Sequence, residues 1–160
     1  MDRIPALLIL LVLFLGVLAL MRLGWRNRAR RHADLPEPEP IDPAAELELG
    51  PFEAVYVSTV LAGQPFERVV AHGLGTRSRA RVAVTAEGDW RIERHGATSF
   101  TVPARSISDV APAPGMSGKV IGGDGLVVVR WRLGPRELDT GLRLRSRSDH
   151  DLLLTRKDTT

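Results

Sequence analysis

The sequence predicts one N-terminal transmembrane α-helix followed by a mainly-β domain of about seven antiparallel strands that ends in a short α-helix. Three observations support this fold class. Residues 4–21 carry no charged side chain. From residue 52 onward, apolar and polar residues alternate with the period of two that is typical of half-buried strands. Residues 148–158 instead group three leucines between charged residues, which favours a helix.

The apolar segment is long enough to cross a bilayer. A helix rises about 1.5 Å per residue, so residues 4–21 cover about 27 Å of a hydrocarbon core about 30 Å thick, and continuation to Trp25 reaches the far interface. A cleaved secretory signal fits less well, because the side-chain charges of residues 1–3 cancel and the run exceeds the usual length of about 7 to 15 residues. We therefore predict a short tail at 1–3 and a transmembrane helix at 4–25.

Basic residues follow the apolar segment and orient it. Arg3 alone precedes the helix, whereas a topology cluster follows it: Arg22, Arg26, Arg28, Arg30 and Arg31. Because such residues remain on the cytoplasmic side, we predict a single-pass plasma-membrane protein whose N-terminus faces out and whose C-terminal domain is cytoplasmic. The cluster also attracts anionic lipid, so the net charge of +3 does not by itself indicate nucleic-acid binding.

Residues 26–51 form a basic stem and an acidic linker in this interpretation. The linker has prolines at 36, 38, 40, 43 and 51. Proline blocks helix continuation and pairing within a sheet, so the sequence predicts an extended, stiff spacer. A proline-motif ligand for an adaptor domain is the alternative. The β domain then occupies 52–160.

Strands are expected where the alternation is clearest: 55–61, 77–85, 90–94, 99–103, 119–123, 126–133 and 137–146. Prolines and glycines predict a loop over 103–118, and a glycine-rich turn should pair 119–123 with 126–133. Since aromatic residues are few, Trp90, Phe100 and Trp131 should dominate the core. Ser148 is the expected N-cap of the last helix.

This organisation resembles the small membrane-anchored proteins of actinobacteria that carry a bacterial pleckstrin-homology-like (PH-like) domain. Two segments carry the similarity: GMSGKVIGGDGLVVVRW at 115–131 and ELDTGLRLRS at 137–146. The resemblance covers nearly the whole chain. It implies a seven-stranded, partly open barrel with one end closed by the helix, and it does not imply an enzyme.

Motifs for chemistry are missing from the sequence. It contains no cysteine and no GxSxG nucleophile elbow. GMSGKV resembles a phosphate-binding loop, but Ala113 and Val120 replace the glycine and the hydroxyl residue that the loop requires. The histidines at 32, 72, 95 and 150 lack metal-ligand spacing, and we interpret them as surface or turn residues. We predict no enzymatic activity, cofactor, metal site or small-molecule substrate.

Arginines at alternate positions are the candidate binding residues. Arg77, Arg79 and Arg81 should project from one face of a strand, and the patterns at 130–132 and 143–147 are similar. Such a row is often a solvated face that prevents edge association. It can also bind an anionic partner, either a lipid headgroup or an acidic protein. By the PH-like resemblance, arginines at the start of the second strand could bind a headgroup, which singles out Arg77 and Arg79.

Two functions follow from these observations. The first is a membrane-anchored adaptor whose cytoplasmic domain contacts an unidentified protein or an anionic surface, and the alternative is an accessory subunit of a membrane transport or export complex. Nucleic acid is not an expected partner, because acids are mixed with the arginines and no aromatic stacking platform accompanies them.

Overall fold

A computed structural model describes residues 4–30, 34–116, 119–120 and 125–155, with side chains described for 8–24, 34–116 and 125–155. The chain divides into two compact units, and the second begins at Leu35. The first contains helix α1 (Ile4–Arg30). Within the described residues, no helix has both the length and the hydropathy required to span a membrane.

The second unit is a mainly-β domain. Its described elements are β1 (Leu47–Leu61), β2 (Gln64–Arg68), β3 (Ser78–Thr85), β4 (Trp90–Arg94), β5 (Phe100–Val102), β6 (Ile107–Ala113), β7 (Gly115–Met116), β8 (Lys119–Val120), β9 (Leu126–Leu133), β10 (Arg136–Leu144) and α2 (Arg147–Thr155). The main sheet has the order β5-β4-β3-β1-β10-β9-β6, with antiparallel neighbours, and β2 pairs with β1. The expected mainly-β, open antiparallel architecture with a short C-terminal helix is confirmed.

Strand β1 is the middle strand of the main sheet, and both of its edges are paired. It pairs with β3 along its first part, with β2 at its end, and with β10 on the other side. The register with β10 shifts between Tyr56 and Ser58. A bulge of this kind bends a strand and increases its twist, as a curved sheet requires.

The core lies inside the curved sheet. Alternate residues of the strands point inward, and the three expected aromatic residues, Trp90, Phe100 and Trp131, are at most 4% exposed. The Phe100 and Trp131 rings stack with centroids 5.9 Å apart, and Tyr56 meets Phe100 edge to face at 6.2 Å. Helix α2 packs against β10, β9 and β6 and contributes the fully buried Leu153.

A second apolar cluster covers part of the outward face of the sheet. Met116 packs there with Val57, Val60 and Leu126. Gly141 makes this packing possible, because a Cβ at that position would lie 2.9 Å from the Met116 sulfur.

The loop predicted over 103–118 is wrong for its central part, because Ile107–Ala113 forms strand β6. Its prolines suggested a loop, but β6 lies at the end of the sheet and, among the described strands, pairs with β9 alone. On an edge strand, Pro112 can occur without removing a hydrogen bond to a second neighbour. The expected pairing of 119–123 with 126–133 is also wrong where it is described, since β8 pairs with β7.

The predicted spacer differs from the structure as well. Leu35 is 4% exposed and joins the core, and Glu39 forms an isolated bridge with Thr101. Strand β1 starts at Leu47, so the end of the supposed linker belongs to the sheet. Proline removes a donor but leaves its own carbonyl free, and Pro40 O accepts a hydrogen bond from the Thr101 hydroxyl at 3.2 Å. The segment therefore borders β5 instead of extending freely.

The C-terminal helix is present, but its first residue differs from the expectation. Helix α2 starts at Arg147, so Ser148 lies inside it, and the His150 N–H donates to Ser146 O at 3.2 Å. The first intrahelical acceptor is therefore Ser146, two residues before the expected cap.

Candidate anion-binding surface

The three candidate arginines are exposed, but they differ in their partners. Arg79 and Arg81 lie on the outward face of β3, and Arg77 immediately precedes the strand. Arg81 faces Glu93 across the β3–β4 pair, with its guanidinium 2.6 Å from the carboxylate. Glu93 also forms an ion pair with Arg91. Arg81 is therefore compensated locally, whereas no ion pair involves Arg77 or Arg79 in the described part of the chain.

An arginine from β10 joins Arg79 across the central strand. Val55 is paired with Arg79 on one side and with Arg143 on the other. Neighbouring strands are about 4.8 Å apart, so the two arginines flank Val55 with backbones about 10 Å apart. Arg143 is exposed and, like Arg79, has no carboxylate partner among the described residues. We call Arg77, Arg79 and Arg143 the arginine surface.

Arg130, another arginine of the alternating pattern, does not extend this surface. Arg130 donates two hydrogen bonds to Asp139, at 2.7 and 2.9 Å, and these bonds raise the pKa of Arg130. The backbone N–H of Arg145 donates to Glu53 O at 3.0 Å, at the end of the β1–β10 pair. Sequence alternation identified the arginines but not their partners, because the partners depend on strand register.

The topology cluster of the sequence falls mainly outside the described side chains. Arg22 is exposed, and Arg26, Arg28 and Arg30 belong to α1. Arg31 lies outside the described residues.

A buried arginine lies beneath the exposed ones. Arg94, at the end of β4, is 6% exposed and its guanidinium lies 4.0 Å from the centre of the Tyr56 ring. It donates hydrogen bonds to Ser78 Oγ at 3.1 Å and to the carbonyl oxygens of Gly73 and Thr76 at 3.1 and 2.6 Å. Burial lowers the pKa of Arg94, and the nearby Tyr56 opposes this shift. Carbonyls and an aromatic face replace the carboxylate that usually accompanies a buried guanidinium.

Tyr56 also begins a chain of buried hydroxyl groups. Its O–H donates to Leu74 O at 2.8 Å, and its oxygen lies 2.5 Å from the Thr59 hydroxyl. Thr59 contacts the Thr140 hydroxyl at 2.7 Å, and the Trp131 indole N–H donates to Thr140 at 2.9 Å. When all donors along this chain point from Trp131 toward Leu74, each of the three hydroxyl groups donates one hydrogen bond and accepts one. Burial is the largest cause that raises the pKa of Tyr56 to about 12.

The histidines do not converge on a metal site in the described residues. His72 is exposed and its Nε2 lies 2.9 Å from Leu35 O, and His95 is exposed in the turn after β4. His150 is 7% exposed on α2, so the expectation of a surface or turn residue is wrong for it. His32 lies outside the described residues.

A cleft of about 430 Å³ lies beside the turn that follows β3. Its lining includes Asp42, Glu46, Glu87 and Asp89. Two of these carboxylates accept backbone hydrogen bonds, Asp42 from Ala44 and Asp89 from Ala104. The acidic lining disfavours an anion, so the arginine surface is the better candidate for an anionic partner.

The domain is an open antiparallel sheet with a C-terminal helix, and its candidate site consists of exposed charged residues on that sheet. The family model described as bacterial PH domain-like matches residues 32–158, which is most of the chain. The chain therefore belongs to the bacterial PH domain-like family. PH-like domains are generally non-catalytic binding modules. No curated protein and no solved structure has a significant match to the chain.

Proposed function

We propose that the protein is a single-pass adaptor of the plasma membrane whose cytoplasmic PH-like domain binds an anionic lipid surface through Arg77, Arg79 and Arg143. The observation that carries the proposal is the arrangement of the arginine surface. The three arginines are exposed and have no carboxylate partner among the described residues, while the neighbouring Arg81 is paired with Glu93. Unpaired arginines are available for bidentate contacts with phosphate oxygens.

The anchor part of the proposal rests on the amino-acid sequence. Residues 4–21 lack charge, basic residues follow them, and α1 extends from Ile4 to Arg30. The family match begins at residue 32, directly after that helix. A domain attached so closely to a membrane helix would be at high effective concentration near headgroups, so weak contacts with each headgroup would suffice.

Lipid contact can be measured on the full chain in phospholipid nanodiscs. The sequence has no cysteine, so His95→Cys gives one labelling position near Arg79, whose carbonyl accepts the His95 N–H. A fluorophore there should be quenched more by headgroup quenchers in discs with phosphatidylglycerol than in discs of phosphatidylcholine alone. We expect the double variant Arg77→Glu/Arg79→Glu to lower the equilibrium constant for contact between the domain and the bilayer at least about thirtyfold, since each basic residue contributes about 1 kcal/mol.

A matched charge change provides the control. Arg132 is exposed on β9, so Arg132→Glu changes the net charge as Arg79→Glu does without altering the arginine surface. We expect only Arg79→Glu to reduce quenching substantially. Equal quenching in neutral and anionic discs, or equal loss in the two variants, would contradict lipid binding at this surface and would leave an acidic protein as the partner to test.

A further inference from the structure

We propose that Arg94 is a positioning residue of the arginine surface, which fixes the segment that carries Arg77. This inference rests on the proposed function, because it concerns the same surface. Arg94 itself is buried and would not touch the anionic partner.

The inward direction of Arg94 follows from its strand. Trp90 and Ile92 precede it at alternate positions of β4, and all three side chains are buried. Arg94 is paired with Ala80 of β3, another inward residue. Its side chain therefore extends within the domain toward the segment that leads into β3.

The hydrogen bonds of Arg94 bracket Arg77. Thr76 O, on one side of Arg77, accepts from the guanidinium at 2.6 Å, and Ser78 Oγ, on the other side, accepts at 3.1 Å. Gly73 O accepts a third bond at 3.1 Å from the same nitrogen that binds Thr76 O. One rigid, planar group thus holds the backbone before Arg77 and the side chain after it.

A lysine cannot reproduce this arrangement, although it keeps the charge. Its ammonium group is one point at the end of a flexible stem, whereas the guanidinium has donors in a fixed fork. The Tyr56 ring, 4.0 Å from the guanidinium, limits the positions that the fork can adopt. Arg94→Lys therefore tests geometry separately from charge.

The direct test is the motion of residue 77 in the folded full chain. A nitroxide on Arg77→Cys should be ordered when Arg94 is present, and in Arg94→Lys its correlation time should shorten at least about twofold, toward the nanosecond motion of a loop. The same label on Arg132→Cys should be unaffected. A residue that only added stability would leave both labels unchanged, because the folded population would remain nearly complete. An unchanged label at position 77 would overturn the proposal.

Binding in anionic nanodiscs gives the second readout. We expect Arg77→Ala to lower the equilibrium constant for contact with the bilayer about fivefold when Arg94 is present, but less than about twofold in the Arg94→Lys background. Arg143→Ala should cost the same in both backgrounds, because Arg143 lies on β10. Equal losses from Arg77→Ala in both backgrounds would also overturn the proposal.

The two proposals can fail separately. If the wild-type chain shows no preference for anionic discs, the proposed function fails, and the mobility of the label at position 77 still decides the role of Arg94. If Arg94→Lys does not fold, Ser78→Ala replaces it. That variant removes one acceptor of the guanidinium and should mobilise the label in the same direction, and an unchanged label would again overturn the inference.

Discussion

Trp131→Ala should lower the free energy of unfolding by about 3 to 5 kcal/mol, the largest loss that we expect from one substitution in this domain. The Trp131 ring is 1% exposed and stacks on Phe100 with an interplanar angle of 21°. Its N–H also satisfies Thr140 at the end of the buried hydroxyl chain. Truncation would leave a cavity and remove a donor at the same time, and both effects destabilise the folded state.

Urea unfolding of the full chain in detergent, followed by circular dichroism, measures this loss. Phe66→Ala is the matched control, because Phe66 is an aromatic residue of the same sheet that is 79% exposed. It should change the unfolding free energy by no more than about 0.5 kcal/mol. Similar effects of the two substitutions would show that Trp131 is not part of a packed core.

Tyr56 should remain neutral in the folded protein to unusually high pH. Burial raises its pKa to about 12, compared with about 10 in an unfolded chain. The folded state thus binds the phenolic proton more tightly than the unfolded state does. This tighter binding stabilises the folded state, and the stabilisation is fully present below pH 10. It is lost as the pH rises through 12, which lowers the free energy of unfolding by about 2 to 3 kcal/mol.

The titration can be observed directly, because Tyr56 is the single tyrosine of the sequence. Tyrosinate absorbance should have its midpoint near pH 12 in the folded chain and near pH 10 in urea. Tyr56→Phe should abolish the absorbance change and reduce the loss of stability over the same pH range. A midpoint near pH 10 in the folded chain would contradict the buried environment of the phenol.

Much of the β domain could be predicted because apolar and polar residues alternate along several of its strands, such as β4. Trp90, Phe100 and Trp131 fall on inward positions of that alternation, and they are buried as expected. Strand β6 was not predictable in the same way, since Pro112 resembles a loop residue until the position of the strand at the sheet edge is known. The segment around Leu35 gave no strand signal, and its burial depends on contacts with residues far along the chain.

The type of residue in the candidate site could be predicted from the sequence, but which arginines belong to the site could not. Alternation placed Arg79 and Arg81 on one face, yet only the register of β3 with β4 brings Glu93 to Arg81. Arg143 lies near Arg79 because strands β10 and β3 both pair with β1, and no local pattern in the sequence predicts that strand order. The alternation of β4 did contain a signal for Arg94, since it shares the inward parity of Trp90 and Ile92.

The most direct test of the central claim, that the domain is anchored at the plasma membrane and faces the cytoplasm, is cysteine labelling in intact cells. Glu87 is exposed in the turn after β3, outside the arginine surface, and Glu87→Cys would be the single cysteine of the full chain. We expect the protein to stay in the membrane pellet after carbonate extraction and to react with an impermeant maleimide only once the cells are permeabilised. Labelling in intact cells, or a soluble protein that lacks its first two dozen or so residues, would contradict it.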